Sequence, residues 1–209
     1  MAVMTSPRLV FAPPQGFALH PEALDGPAQA ALAGEVWTAL EAAPLHRGVV
    51  PGGRPMSVMN SNMGRLGWVS GPAGYAYVET HPETGRAWPA IPQSLLALWA
   101  RFTDEAEPPD ACLINLYRDD ARLGLHQDRD EADLGAPVLS VSLGDTALFR
   151  LGGVARSDPT RSFRLSSGDV MVLAGAARMA FHGVDRIVPG SSRLIPGGGR
   201  LNLTLRRAG

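Results

Sequence analysis

Three side chains in the C-terminal half of the chain have the types and spacing needed to hold one metal ion. His126 and Asp128 are two residues apart, and residues at that spacing point to the same face of a strand. His182 follows a separate apolar run far along the chain. Two imidazoles and one carboxylate on one face of an ion form the ligand set of non-haem Fe(II) centres, which keep coordination positions open for other molecules.

Zinc is the weaker interpretation of these histidines. The chain has no His-Glu-x-x-His motif, and its one cysteine, Cys112, excludes a cysteine-based zinc site. One cysteine also excludes a disulfide framework, which fits a protein of the reducing cytoplasm. Because Cys112 lies in an apolar run, we predict that it is a small core residue.

A second chemical pattern lies in the last predicted strand, residues 200–206. Leucines alternate with polar residues, which are Arg200, Asn202, Thr204 and Arg206. A guanidinium can donate two parallel hydrogen bonds to a carboxylate, so this face could bind a dicarboxylate. The predicted strand 111–118 repeats the pattern, with Asn115 and Tyr117 on one face. Ordinary solvent-facing strands alternate in the same way, so the period alone leaves both interpretations open.

Residues 48–90 are rich in Gly, Pro, Asn and Ser, which predicts hairpins and loops. Three aromatic residues lie in its central part, residues 65–77, namely Trp68, Tyr75 and Tyr77. Aromatic side chains with arginines nearby can stack on a nucleobase, but they are also common packing residues. The same two interpretations apply to Met56.

Two predicted helices lie in the N-terminal half. The first spans residues 27–42, where Pro27 suits the first helical turn. The second spans 92–102 and carries Leu95, Trp99 and Phe102 at helical spacing, which predicts a core-facing stripe. Residues 1–20 are predicted to be irregular because Pro13 and Pro14 break regular structure.

After Pro108 and Pro109 the pattern changes to short strands separated by Gly and Pro turns. The predicted strands span residues 111–118, 122–128, 137–143, 146–151, 162–165, 169–174, 178–183 and 200–206. Many short strands of this kind are typical of a sandwich, a barrel or a jelly roll.

Charge is unevenly distributed over the 209 residues, although the formal net charge is only −1. Residues 1–139 carry nine arginines and sixteen acidic residues, and residues 140–209 carry ten arginines and four, giving −7 and +6. A histone-like polycation is excluded, and 45% hydrophobic residues exclude a disordered chain. The basic part could face an anionic substrate or simply solubilise strands. No apolar stretch is long enough to predict a membrane span.

Several spaced motifs occur together and in order. They are Asn115-Leu-Tyr117, Leu123-Gly-Leu-His126-Gln-Asp128-Arg-Asp130, Phe181-His182-Gly183 and Arg200-x-Asn202-x-Thr204-x-Arg206, with Pro51-Gly52-Gly53, Leu66-Gly67-Trp68 and Pro89-Ala-Ile-Pro92 before them. This set, which covers about residues 48–207, resembles the AlkB family. Members of that family are iron(II)- and 2-oxoglutarate-dependent dioxygenases that demethylate nucleic-acid bases.

The resemblance implies a mainly β fold with flanking helices in a single domain, residues 1–209. Residues 109–209 would form a double-stranded β-helix (jelly roll) core, and residues 1–108 the N-terminal helices and a nucleotide-recognition lid. The implied cofactor and cosubstrates are Fe(II), 2-oxoglutarate and O2.

The implied reaction is the oxidative demethylation of 1-methyladenine and 3-methylcytosine, giving formaldehyde, succinate and CO2. This would be direct-reversal repair of alkylation damage. The expected partner is single-stranded DNA, or double-stranded DNA with the base flipped out, and RNA stays open as a second substrate. We expect a monomer in the cytoplasm without membrane association.

The resemblance also assigns roles to individual residues. The catalytic iron ligands would be His126, Asp128 and His182. The 2-oxoglutarate pocket would comprise Asn115, Tyr117, Arg200, Asn202 and Arg206, with Arg200 on one carboxylate. Substrate contacts would come from Met56, Trp68, Tyr75, Asp130, Ser140 and Arg156. Trp68 and Tyr75 would flank the flipped base, and the ring of His126 would stack on it from the metal side.

Two positions depart from the family pattern. Asp120 stands where a glycine is usual, and since Asp tolerates a left-handed turn we expect the turn to persist. Leu173 stands in place of an aromatic residue, which changes the expected pocket shape. Two other functions stay open: a dioxygenase acting on a protein or small metabolite, and a non-catalytic jelly-roll binding module.

Overall fold

A computed structural model describes residues 13–209 of the chain. In chain order its elements are β1 (Phe17–His20), α1 (Gly26–Ala42), β2 (Met59–Gly64), β3 (Gly67–Gly71), β4 (Gly74–Val78), α2 (Gln93–Phe102), β5 (Ala111–Tyr117), β6 (Leu123–His126), β7 (Val138–Gly144), β8 (Thr146–Leu151), β9 (Arg161–Leu165), β10 (Val170–Leu173), a 3-10 turn (Gly175–Ala177), β11 (His182–Val188) and β12 (Arg200–Arg206).

Two antiparallel sheets form the core. The larger sheet has six strands in the order β1-β10-β7-β12-β5-β2, and the smaller has four in the order β6-β11-β8-β9. Strands β3 and β4 form a separate hairpin within the segment 48–90. The prediction of a mainly β fold with two flanking helices and a jelly-roll core is confirmed.

The helices cover the outer face of the six-stranded sheet. α1 begins after Asp25, whose side chain accepts a hydrogen bond from the Ala28 amide and so caps the helix. In α2, Leu95 and Trp99 are buried and Phe102 packs against the same cluster, as the helical stripe predicts. Leu201, Leu203 and Leu205 of β12 belong to this cluster, and Cys112 is buried within it.

A second apolar cluster lies between the two sheets. Phe149 and Leu151 of the smaller sheet meet Tyr117, Val138 and Leu173 of the larger one. The polar side chains of β12 point into this space, because its leucines face the helices. A solvent-facing β12 is therefore wrong, as Arg200 and Arg206 are only 0% and 6% exposed.

Two local predictions are wrong, and a third, that the turn after β5 persists, holds. Residues 17–20 are not irregular, since they form β1 and pair with β10, whereas residues 1–12 lie outside the described part. The strand predicted at 178–183 begins only at His182, because pairing with β8 sets its limits and the apolar run before it forms a turn. The turn after β5 persists, but the residue with positive φ is Asp119, at 52°, and not Asp120.

Among residues 13–209, no helix is both long and apolar enough to cross a membrane. The division into a lid at 1–108 and a core at 109–209 stays a prediction.

Candidate active site

His126, Asp128 and His182 converge at one end of the space between the sheets. His126 ends β6 and His182 begins β11, and the two residues are direct partners across this antiparallel pair. Their Nε2 atoms lie 3.6 Å and 3.7 Å from the carboxylate oxygens of Asp128. One ligand atom from each of the three residues lies within 4.8 Å of the others. The structure therefore brings together the three side chains that the spacing pointed to.

Backbone carbonyls fix which nitrogen of each imidazole faces the ion site. Nδ1 of His126 lies 2.9 Å from the oxygen of Gly124, and Nδ1 of His182 lies 3.0 Å from that of Ala180. Because a carbonyl only accepts hydrogen bonds, each Nδ1 carries the proton and each Nε2 keeps its lone pair free toward Asp128. Outer hydrogen bonds of this kind orient histidines in metal sites. Two nitrogens and one carboxylate therefore form a donor set that fits Fe(II).

Burial and charge set the protonation of these ligands. Burial, with a smaller contribution from His126, lowers the pKa of His182 to about 4. Burial opposes ionisation of Asp128, but the Arg206 guanidinium and the two imidazoles hold its pKa well below the usual range. Burial also opposes protonation of His126, yet the hydrogen bond and charge of Asp128 raise its pKa. At neutral pH, His182 and Asp128 are in the forms that bind metal.

Gly183 lets β11 approach β6 closely. A Cβ at this position would lie 2.6 Å from the oxygen of Leu123 and 2.9 Å from the carbonyl of Gly124. Only a glycine fits such a gap without moving backbone. The His-Gly pair therefore keeps His182 directly across from His126.

A cavity of about 510 Å³ extends from the triad into the space between the sheets. Its lining includes every residue that the sequence predicted for the site. The triad and the polar face of β12 thus share one space.

Arg200 lies buried in the wall of this cavity. Its guanidinium donates hydrogen bonds to Ser142 Oγ at 2.7 Å, the Leu165 oxygen at 3.1 Å and Asn202 Oδ1 at 3.2 Å. In the described part of the chain its Nε atom has no hydrogen-bond partner. Burial lowers the pKa of Arg200 to about 10, so it stays a cation at neutral pH. A buried cation that bonds only to neutral groups favours an anionic ligand.

Asn202 connects Arg200 to the middle of the cavity. Its Oδ1 accepts hydrogen bonds from Arg200 and from Ser140 Oγ at 2.9 Å, and its Nδ2 donates to Thr204 Oγ1 at 2.9 Å. Ser140, predicted on the substrate side, therefore holds the Asn202 amide while it also lines the cavity.

Strand β5 places Asn115 and Tyr117 directly across from Asn202 and Arg200. Asn60 on β2 donates a hydrogen bond to Asn115 Oδ1. Burial raises the pKa of Tyr117 to about 12, so its hydroxyl keeps its proton and can donate to a ligand in the cavity. Together these groups form a set of donors suited to carboxylate oxygens.

The hairpin β3–β4 lies at the mouth of the cavity. Trp68 and Tyr75 stack with ring centroids 5.1 Å apart, and Tyr75 is 46% exposed. The Trp68 Nε1 donates a hydrogen bond to Asp130 Oδ2 at 2.9 Å, and the Trp68 backbone exchanges two 3.0 Å hydrogen bonds with the Asn62 side chain. Asp130, predicted to contact the substrate, therefore fixes the orientation of the Trp68 ring in this structure.

Met56, Arg156 and Leu173 complete the predicted lining. Arg156 is exposed at the rim, where it donates to the Leu125 oxygen at 3.1 Å and lies over the ring of Phe181. Met56 is half-buried, and Leu173 is fully buried in the wall. Arg156 thus keeps an exposed guanidinium beside the opening.

Several polar residues at the cavity or behind it were missed by the sequence analysis. They are Asn60, Glu131, Asp145 and Arg178, and Tyr77 was noted without a role. Asn60 had no periodic signal, because residues 60–62 are three polar residues in a row within a segment taken as loops. Arg178 and Glu131 had none, since they are 47 residues apart and meet only in the folded chain.

Asp145 shapes the loop that leads into β12. Its carboxylate accepts hydrogen bonds from the amides of Gly190, Ser192 and Gly199, at 3.2, 2.9 and 3.0 Å. It is 1% exposed, and Gly199 directly precedes Arg200. The buried Asp145 carboxylate therefore fixes the backbone just before Arg200.

Known proteins share this arrangement of sequence and fold. The chain matches the 2OG-Fe(II) oxygenase superfamily over residues 16–206. It is 62% identical over 193 residues to the alpha-ketoglutarate-dependent dioxygenase AlkB homolog of Caulobacter vibrioides (strain NA1000 / CB15N), covering 92% of this chain and 88% of that protein. It is 45% identical over 170 residues to the alpha-ketoglutarate-dependent dioxygenase AlkB of Escherichia coli (strain K12), covering 79% and 78%.

The fold is also similar to a solved structure of OsALKBH1. The TM-score is 0.74 at 30% sequence identity, and the match covers 95% of this chain and 99% of that one. With 62% identity over most of its length to one AlkB homolog and the superfamily match from 16 to 206, the chain belongs to the 2OG-Fe(II) oxygenase superfamily and, within it, to the AlkB family.

Proposed function

We propose that this chain is an iron(II)- and 2-oxoglutarate-dependent dioxygenase that removes methyl groups from nitrogen atoms of nucleic-acid bases. The observation that carries the proposal is one cavity that joins the His-Asp-His triad to a buried arginine without an acidic partner. The triad suits Fe(II), and Arg200 suits a carboxylate of 2-oxoglutarate. Membership of the AlkB family gives the substrate class.

When bound, Fe(II) with O2 and 2-oxoglutarate supplies the oxidation that releases the methyl group as formaldehyde and converts 2-oxoglutarate into succinate and CO2. The chain's own residues bind and orient. His126, Asp128 and His182 would hold the ion through two nitrogens and one oxygen. Arg200, with Tyr117 beside it, would bind one end of the dicarboxylate.

The aromatic mouth supports a base as the substrate. Trp68 and Tyr75 line the same cavity as the triad, and stacking on aromatic rings suits any unpaired base. A methyl group on N1 of adenine or N3 of cytosine adds positive charge and blocks pairing, which lowers the cost of flipping the base out. The Asp130 carboxylate lies at the mouth and would favour such a cationic base.

The proposal also includes the nucleic acid that carries the methylated base. Single-stranded DNA, or duplex DNA with one base flipped out, would place its phosphates near Arg156. No lysine is present in the sequence, so arginines must make all phosphate contacts through cationic side chains. We also propose that the protein acts as a monomer in the cytoplasm.

Mass spectrometry of an oligonucleotide containing 1-methyladenine tests this function directly. The oligonucleotide is incubated with protein, Fe(II), 2-oxoglutarate and ascorbate, and succinate is measured in the same samples. We expect loss of the methyl group in step with succinate, and neither with His182→Ala. Succinate without demethylation would instead point to a protein or metabolite substrate, and absence of both would point to a binding module.

A further inference from the structure

Four charged side chains, one of them a metal ligand, form a buried network beside the ion site. It comprises Asp128, Glu131, Arg178 and Arg206, and their side chains are only 6%, 2%, 2% and 8% exposed. Two carboxylates and two guanidinium groups balance in charge. Because each unpaired buried charge is costly, the orientation of every member depends on the others.

Glu131 is the centre of this network. Its Oε2 atom accepts a hydrogen bond from Arg178 at 3.0 Å. Its Oε1 atom accepts one from the Tyr77 hydroxyl at 2.8 Å and lies 3.2 Å from Nε of Arg206. The Nη2 atom of Arg206 lies 2.9 Å from Oδ2 of Asp128. Arg206 is therefore held between Glu131 at Nε and the metal ligand Asp128 at Nη2.

Arg178 anchors Glu131 to the main chain beside the triad. Its Nε donates to the oxygen of Ala136 at 2.8 Å, and its Nη1 donates to the backbone oxygen of Asp128. The Arg178 guanidinium thus binds both the backbone of the metal ligand Asp128 and the Glu131 carboxylate. Movement of either one changes the geometry of the other.

Tyr77 connects this network to the mouth of the cavity. It lies on β4 directly across from Trp68 on β3, so both side chains share one face of the hairpin. Its hydroxyl donates to Glu131, and Arg206 Nη1 donates to the same hydroxyl at 3.4 Å. The hairpin that carries the aromatic pair is therefore bonded to the arginine that faces the ion site.

We propose that Glu131 is a positioning residue that orients Arg206 for the cosubstrate and, through Tyr77, couples that orientation to the hairpin carrying Trp68. The inference rests on the proposed function, since it takes Arg206 to contact 2-oxoglutarate. A cosubstrate carboxylate that binds Arg206 changes the contacts that Arg206 makes with Glu131 and Tyr77. A ligand shifts a conformational equilibrium only through such differential contacts, so cosubstrate should change the order of the hairpin.

Hydrogen exchange of the hairpin amides, residues 67–78, tests the coupling without turnover. Wild-type protein loaded with Mn(II) is measured with and without 2-oxoglutarate, and we expect slower exchange with the cosubstrate. In Tyr77→Phe the ring stays but the hydroxyl is lost. The cosubstrate-dependent slowing should then fall by about tenfold, as expected for one hydrogen bond to a charged group.

Tyr75→Phe is the matched control, because this phenol lies on the same hairpin but is 46% exposed and does not reach Glu131. It should keep the cosubstrate-dependent slowing. Equal slowing in wild type and Tyr77→Phe would overturn the coupling, as would equal loss of slowing in both variants.

Glu131→Gln tests the positioning of Arg206 through the affinity for 2-oxoglutarate, measured by calorimetry on the Mn(II)-loaded protein. We expect about tenfold weaker binding, since the variant loses the ion pair that holds Arg206. Unchanged affinity in a folded variant would overturn the proposal. If the variant unfolds, Tyr77→Phe decides alone. If wild type demethylates no oligonucleotide but Tyr77→Phe loses the slowing, the proposed function fails and the coupling stands.

Discussion

The two ends of the cavity are built in different ways. The ion and cosubstrate end is assembled from paired strands of both sheets, and its key side chains, such as Arg200 and His182, are buried. The mouth is assembled from the hairpin β3–β4 and loops, where Tyr75 and Arg156 are exposed. Strand pairing fixes the first end residue by residue, whereas the second is fixed by a few side-chain contacts.

This difference suits the two kinds of ligand. The inner end has donors in fixed positions, which under the proposed function would select one small dicarboxylate through hydrogen bonds that a different ligand would leave unpaired. The mouth offers stacking faces, and every base presents a ring face to stack on. We therefore expect substitutions at the inner end to abolish binding or chemistry, and those at the mouth to weaken substrate binding by degrees.

The largest effect should come from removing a metal ligand at the inner end. In His182→Ala the ion loses one of three protein ligands, and even residues behind the ligands commonly change metal affinity by 10- to 100-fold, so we expect a loss of more than about 100-fold. Metal content and demethylation rate are the measurements. His20→Phe is the control, because His20 lies on β1 against Phe102, away from the cavity. Full metal content in His182→Ala would contradict the assignment.

A smaller effect is expected when the buried arginine is changed. Arg200→Lys keeps the charge but cannot donate a fork, so the 2-oxoglutarate requirement should rise roughly 10- to 100-fold. Steady-state titration of 2-oxoglutarate measures this, with Arg164→Lys as the control because Arg164 is exposed on β9. An unchanged requirement in Arg200→Lys would remove its assigned role at the cosubstrate.

The contrast between the two ends also explains what the sequence could predict. The alternation of polar and apolar residues predicted that the polar side chains of β12 share one face. It did not predict that this face is internal, because that depends on how the sheets and helices pack together. The positions of His126 and His182 followed from motif spacing. The Glu131–Arg178 pair could not be predicted, because it joins two turns that meet only through folding. The strand predicted at 178–183 began too early. An apolar run indicates buried residues, but the residues just before His182 lie in a turn and not in a strand.

At the mouth, Trp68→Ala should reduce activity on methylated single-stranded DNA by about 10-fold, the loss expected for one base-stacking contact. The 2-oxoglutarate requirement should stay within twofold of wild type, roughly, because Trp68 bonds to Asp130 and Asn62 and to none of the inner donors. Rates measured over a range of oligonucleotide and 2-oxoglutarate concentrations separate the two quantities. A parallel loss in both would show that the Trp68 ring itself, and not only the Tyr77 hydroxyl, couples the mouth to the inner end.

The smallest effect should come from the rim. Arg156 is exposed, so Arg156→Gln removes one cation near the expected path of the phosphates without opening the core. For single strands the logarithm of affinity falls with the logarithm of salt by about 0.7 per neutralised phosphate, so the slope should drop by about 0.7. Binding of a methylated oligonucleotide over a salt series measures it, with Arg164→Gln as the control. If the slope stays and affinity falls equally at all salt concentrations, Arg156 acts by contacting the base and belongs with Trp68 rather than with the phosphate contacts.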